Sequence, residues 1–476
     1  MATVDDAKLH IAMFPWLAFG HLIPFLEVAK LLAQKGHQIS YISTPRNIDR
    51  LPKLPPSLSP SIHFINLPLP HVEHLPENAE ATTDLPYNKI PYLKLAYDGL
   101  KDSLVKFLET SHPDWLIYDF APYWLPPLAR NLGIPNAIFS IYFANALCVV
   151  KPTSPLLSEI VDDRKHPEDF TVPPNWISFP SPIALKLFEI NRIFDSVTAV
   201  DSQVSDLDRI EGVFRGCDAI FPRGCWEFLP EYLHLLQELH QKPVIPVGLL
   251  PPTYEGINDD DEPWRSMKEW LDKQEKGSIV YIAFGSEAKP SQEEVTEIAL
   301  GLELAGLPFF WVLKTRLGLA DSEVVTLPEG FEERTRGRGW VWTSWAPQPK
   351  ILSHDSVGGI LTHSGWGSVV EALMNERAVI LLTFLSEQGL NARILEEKKM
   401  GYSIPRNEND GSFTKEAVAK SLRLVMVEEE GKVYRDKAKE MKGLFGDRDL
   451  QDHYTDNLVM YLKNHRNQKN SRFMRV

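Results

Sequence analysis

Short apolar runs alternate with helix-patterned stretches along this chain, in two series, and that alternation leaves few folds open. LHIAMF, HQISYIS, SIHFINL, DWLIYD and NAIFSIY make the first series; SIVYIAFGS, FFWVLK, GWVWTSW, VGGILTH and AVILLTFL make the second. Strands joined through helices pair in parallel, because each crossover helix packs back onto a face of the sheet it left. Between the series, Lys242 to Pro263 is rich in Pro, Gly and Asp, the composition of an interdomain linker. The expected fold is α/β, with two Rossmann-like domains facing a cleft: residues 1–245, residues 246–450, and a terminal segment 451–476. A length of 476 residues fits two cores, since single cores rarely grow past ~250–300 residues. From Lys415 onward the pattern is wholly helical.

A formal net charge of −14 argues against nucleic acid or an anionic membrane as partner. Cys148, Cys217 and Cys225 are odd in number and lack metal-ligand spacing, so they read as reduced thiols in the cytoplasm. No apolar stretch reaches the ~20 residues of a membrane helix. LHIAMFPWLAFG follows Asp5 and Asp6 with Lys8 as the one base and passes into a helix pattern, so it reads as a first strand and loop, not a signal peptide. A soluble cytoplasmic monomer without internal repeats is expected.

The stretch from Trp345 to Gln388 carries the chemistry. VGGILTH, SGWGS and SVVEALMNE run strand, turn, helix. Such a junction aims free backbone N–H groups and the positive helix end at one point, which suits a phosphate. Gly365 and Gly367 permit close backbone approach, Ser368 adds a hydroxyl, and His363 stands at the carboxyl edge where ligands bind in open α/β sheets. Trp345 offers a flat face for a base, with Gln348 beside it for the edge. Glu387 and Gln388, read as ending the strand AVILLTFL, suit adjacent sugar hydroxyls. Ser368 and Glu371 also have the spacing of a capping box, a purely structural reading of the same pair.

This stretch resembles the signature box of plant UDP-sugar-dependent glycosyltransferases, at the family's length of 44 residues without a gap. The resemblance implies the GT-B fold, with a last helix (451–476) that crosses back to pack on the first domain, no cofactor and no metal, and the UDP-sugar as co-substrate. It also implies roles: Trp345 and Gln348 at the uracil, His363, Gly367 and Ser368 at the diphosphate, Glu371 at the ribose, and Glu387 and Gln388 at the donor sugar, with Ala346 and Trp366 also in the donor site. The family's F-G-S serine corresponds to Ser286. Three departures stand out. Most members read HCGWNS where this chain has Ser364 and Gly367, which removes one side-chain phosphate contact. Glu376-Arg377-Ala378 replaces a frequent G-V-P, and Thr383 replaces a common Pro.

The catalytic end is expected in the first domain. Leu22, Phe25, Leu26, Ala29 and Leu32 form a helical stripe that sets His21 at a helix start after strand one, where the positive helix end should keep its imidazole neutral. Taken alone, His21 reads as a polar helix start; Gly20-His21 and Pro24 match the family's catalytic histidine motif. Asp119, closing DWLIYD, aligns with the histidine-orienting aspartate, whereas Asp114 opens that strand and belongs at the opposite edge. His71-Val-Glu-His74 lacks the further ligand of a zinc enzyme.

An NAD enzyme or a P-loop NTPase is disfavoured, as neither glycine fingerprint is present. A non-catalytic sugar-nucleotide binder and a UDP-sugar hydrolase remain as rivals. FPWLAFGH, STPRNIDRLP, LPHVEHLPENAEATTDLP, FGSEA, NERA and EQGLNARILEEKKMGY resemble the branch that adds a second sugar to triterpene, diterpene or flavonoid glycosides, most closely saponin rhamnosyltransferases. That resemblance implies an inverting transfer of rhamnose or glucose to a small-molecule glycoside. Trp16, Phe19, Tyr87, Phe120 and Tyr142 can line an amphipathic acceptor cleft or equally belong to the core. Polar residues between His71 and Pro86 form a set able to bond a first sugar.

Overall fold

The computed structural model describes residues 8–197, 204–252, 262–314, 324–385 and 387–466. Two parallel sheets of six strands form its two halves. The first holds β1 (His10–Phe14), β2 (Gln38–Ser43), β3 (Ile62–Asn66), β4 (Trp115–Tyr118), β5 (Asn136–Ser140) and β6 (Ala219–Pro222), in the order β3-β2-β1-β4-β5-β6. The second holds β7 (Ile279–Ala283), β8 (Phe309–Val312), β9 (Gly339–Trp342), β10 (Val357–Thr362), β11 (Ala378–Leu381) and β12 (Gly401–Ser403), in the order β12-β11-β10-β7-β8-β9. β4, β5 and β7 are buried at every position, as strands covered by helices on both faces must be.

Both sheets reverse direction beside their own first strand, between β1 and β4 and between β7 and β10. Connections leave such a point to opposite faces and open a crevice at the carboxyl edge. The register levels Phe14 with Tyr118 and Ala283 with Thr362, so the residues that follow all four strands emerge at the two crevices.

β6 and β12 lie outside the apolar runs marked from sequence; at four and three residues they are too short for a clear period. β11 stops at Leu381, so Glu387 and Gln388 do not end it, which corrects the expectation above. Glu387 stands instead at the position before the helix Gln388–Glu397, with no side-chain capping bond. The proposed linker is also only partly loose. Ile220 bridges to Val244 and Gly224 to Gly248, with Val244, Val247, Leu249 and Leu250 buried; positions 253–261 of that stretch lie outside the described residues.

The closing helices are Lys415–Met426, Lys432–Phe445 and Arg448–His465. The last of them packs on the first sheet: Leu458 and Leu462 join a core with Leu22, Phe25 and Trp115, and the Trp115 indole N–H donates to the Leu462 carbonyl at 2.9 Å. Gln451 fixes it further, accepting from Leu250 N and donating to Val247 O, both at 2.8 Å. Positions 467–476 of the expected terminal segment lie outside the described residues. No helix among the described residues is long and apolar enough to cross a membrane.

Candidate active site

The helix Phe19–Gln34 carries His21 in its first turn, buried where β1 ends. Its Nδ1 lies 2.7 Å from Asp119 Oδ2. That oxygen also accepts from the Trp16 N–H at 3.1 Å, while Oδ1 accepts from the Phe120 N–H at 2.8 Å. Asp119 is therefore pinned at both oxygens, and it fixes the ring so that Nε2 faces the crevice. The Tyr142 hydroxyl stands 3.5 Å from Nε2, too far for a strong bond, which leaves that nitrogen open to a ligand. Asp114 takes the His10 N–H at the other end of β4, as its place in the sequence requires.

One expectation is reversed here. Burial lowers the pKa of His21, but the charge and hydrogen bond of Asp119, with Glu387 and Glu287 farther off, outweigh it, and the net shift is upward. A whole carboxylate charge at 2.7 Å exceeds the half-charge of a helix end.

Across the crevice, the helix Trp366–Met374 starts from Gly365. Gly367 and Ser368 fall in its first turn, so their N–H groups have no partner within the helix. His363 lies tight against this turn: a Cβ on Gly365 would come within 2.4 Å of its ring, and one on Gly285 within 2.7 Å. Both glycines are demanded by that ring. Gly367 is not, since a Cβ there would meet nothing within 4 Å. Burial, aided by the Lys314 charge, pushes His363 down to about 4 and keeps it neutral at pH 7. Ser286 follows β7 and faces the same space. Trp366 lines the same space, and its buried ring stands 4.0 Å from that of Phe143, which ties the two halves together.

The capping-box reading of Ser368 and Glu371 fails, because the helix begins at Trp366 and places both residues inside it. Burial raises Glu371 to about 7, against the pull of Gln348 and the Arg223 charge. Gln348 donates to Glu371 Oε2 at 2.7 Å and to Ser368 Oγ at 3.1 Å, so its amide is already engaged in the site. Trp345 is 71% exposed, a free aromatic face. Ala346, half-buried, closes the tight turn to Gln348 N.

One cavity of about 530 Å³ joins these parts. His21, Ser286, His363, Trp366, Gly367, Ser368 and Glu371 line it, as do Glu387 and Gln388; Trp345 and Ala346 are not among its lining residues, Gln348 joins it through Glu371 and Ser368, and Asp119 through His21. The Gln388 carbonyl oxygen accepts from Phe384 N and Leu385 N, which leaves its NH₂ for a ligand. Burial lifts Glu387 to about 7, moderated by the His21 charge. Trp16, Phe19, Tyr87, Phe120 and Tyr142 all reach the far wall.

The loop from His71 to Pro86 behaves differently from expectation. Asp84 pairs with Arg50 at 2.8 Å and accepts from Glu80 N and Ala81 N, and Glu80 takes the Arg46 N–H. Glu80 and Asp84 thus brace the loop and the neighbouring Arg46 and Arg50, and Thr82 alone among the loop's residues lines the cavity, with a buried hydroxyl that has no protein partner. Other polar groups reach in from elsewhere. Lys94 and Asp206 pair at 2.6 Å in the cavity wall, from the helices Ile90–Asp98 and Asp206–Gly216. Arg223 enters from the end of β6. Sequence reading missed all three, because each sits in an ordinary surface-like context until the helices pack.

The family profile described as UDP-glucoronosyl and UDP-glucosyl transferase matches residues 253–475. UDP-glycosyltransferase 91A1 of Arabidopsis thaliana is 57% identical over 466 residues, 97% of this chain and 98% of that one. Soyasaponin III rhamnosyltransferase of Glycine max is 42% identical over 473 residues, 97% of each. Among solved structures, Glycyrrhiza uralensis UGT73P12 complexed with glycyrrhetinic acid 3-O-monoglucuronide superposes with a TM-score of 0.76 at 22% identity, covering 98% of both chains.

Proposed function

Because this chain belongs to the plant UDP-glycosyltransferase family and has its GT-B fold, we propose that it is an inverting enzyme that adds rhamnose or glucose to the sugar of a small-molecule glycoside such as a triterpene saponin. The observation that carries the reading is the His21–Asp119 pair facing the glycine-turn helix across a single cavity. His21 Nε2 takes the proton of an acceptor hydroxyl, and Asp119 stabilises the imidazolium. The freed oxygen forms its bond to the anomeric carbon while the bond to UDP breaks from the opposite face, which inverts the centre. The electron pair leaves on the diphosphate, met by the Gly367 and Ser368 N–H groups, His363 and the Ser286 hydroxyl. These donors meet the leaving charge without a metal.

The glycoside preference rests on the acceptor wall. Lys94 and Asp206 retain an ammonium donor and a carboxylate oxygen beyond their mutual bond, beside apolar Ile90 and Leu207. Such groups bond sugar hydroxyls and stay unpaired over a bare aglycone, so discrimination of up to ~10⁴-fold is expected. The relative named for soyasaponin III supports a saponin acceptor and a rhamnosyl donor. Three free, buried cysteines fit a reducing compartment such as the cytoplasm.

The test compares kcat/KM for a triterpene or flavonoid monoglycoside with that for its aglycone, using UDP-rhamnose and UDP-glucose, with the new linkage read by NMR. Wild type should favour the glycoside, and Lys94→Met and Asp206→Asn should narrow the ratio. Equal or better use of the aglycone, or a sugar placed directly on it, sinks the sugar-on-sugar assignment.

A further inference from the structure

Arg223 occupies a costly position. It is 5% exposed at the carboxyl end of β6, yet it lines the cavity with Gly367, Ser368 and Glu371. Its Nε donates to the Leu249 carbonyl at 2.9 Å and Nη2 to that of Leu250 at 3.4 Å. Neutral carbonyls hold the group in place without neutralising it. Glu371 and Glu27 are the carboxylates that act on it from a distance, and Glu27 is itself paired with Lys30 at 2.7 Å. A buried cation without an ion-pair partner is unfavourable until an anion arrives.

The opposite face of that cavity has a matching deficit. Gly367 presents an N–H and no side chain in the first helical turn, although a Cβ would meet nothing within 4 Å. The residue is therefore not glycine for want of room. We infer that Arg223, reaching across from the first sheet, binds the diphosphate of the UDP-sugar and supplies the contact that Gly367 lacks. The fork is preset by the Leu249 and Leu250 carbonyls, so little side-chain freedom is lost on binding. The inference rests on the donor site read above, and it makes nucleotide binding a property of both halves.

Calorimetric titration of UDP and of uridine tests it on the full chain. Arg223→Met should weaken UDP by about 10–100-fold, the loss of one charge-assisted bond, and leave uridine within about twofold. Gly367→Asn in the Arg223→Met background should regain part of the loss, and in wild type should add little. Arg223→Gln, which keeps a donor for the Leu249 carbonyl, must give the same UDP-to-uridine ratio and covers the case in which Arg223→Met does not fold. UDP affinity unchanged in both variants, or UDP and uridine weakened alike, shows that Arg223 merely holds the 249–250 backbone. Failure of wild type to prefer UDP over uridine would instead undo the donor-site reading itself.

Discussion

At the scale of single residues, the upward shift of His21 has a readable consequence. Asp119 holds the ring protonated at pH values where a free histidine is already neutral, so the base form, and with it kcat/KM, should rise with pH through a value above 6.5. Asp119→Asn removes the main opposition to burial. The acidic limb should then move to lower pH while the plateau falls by about 10²–10⁴-fold. A limb that stays in place would separate the shift from Asp119. The pairing itself was legible, because the length of DWLIYD decides which aspartate reaches the active edge. The direction of the shift was not: it needed the 2.7 Å contact, and a sequence gives chain order, not distance. Arg223 was illegible for a related reason, since P-R-G-C-W-E carries no glycine or ligand pattern and its meaning comes from what the fold sets opposite.

At the scale of elements, the helix Trp366–Met374 holds a buried carboxylate within the proposed donor site. Glu371 sits well inside it, with burial lifting its carboxyl to about 7. Glu371→Gln keeps a partner for Gln348 and removes the buried charge. UDP binding should weaken about tenfold or more while the melting temperature stays level or rises. A lower melting temperature with UDP affinity intact would return Glu371 to a structural role. Strand, turn and helix were readable here because their periods differ within a few residues. The Thr383 departure was not, and its sense is tertiary: its hydroxyl donates to Glu189 at 2.9 Å, which also pairs with Arg393 at 2.9 Å. A proline at 383 could donate no such bond, so this departure docks the helix Leu187–Val197 onto the second half.

At the scale of the whole molecule, the site exists because two sheets turn their switch points toward each other, and the alternation of runs announced that much. The contacts that close the cavity were beyond it: Phe143 on Trp366, Tyr87 to the Glu287 carbonyl at 2.8 Å, Arg192 to Glu294 at 2.9 Å. Each joins residues far apart in the chain, and no local pattern encodes them. The helix Arg448–His465 is the farthest-reaching case. Truncation before Asp447 should expose the apolar seam around Trp115 and Phe25, giving a product that aggregates on expression; a soluble, UDP-binding truncate would show the helix to be dispensable. On the ribosome this has a cost in time. The last strand of the first sheet emerges roughly 225 residues before that helix begins, and at about 5–20 residues per second the wait lasts roughly ten to forty-five seconds. Throughout it the nascent first half should expose an uncovered greasy strip and draw on chaperones, until the helix Arg448–His465 arrives to seal it.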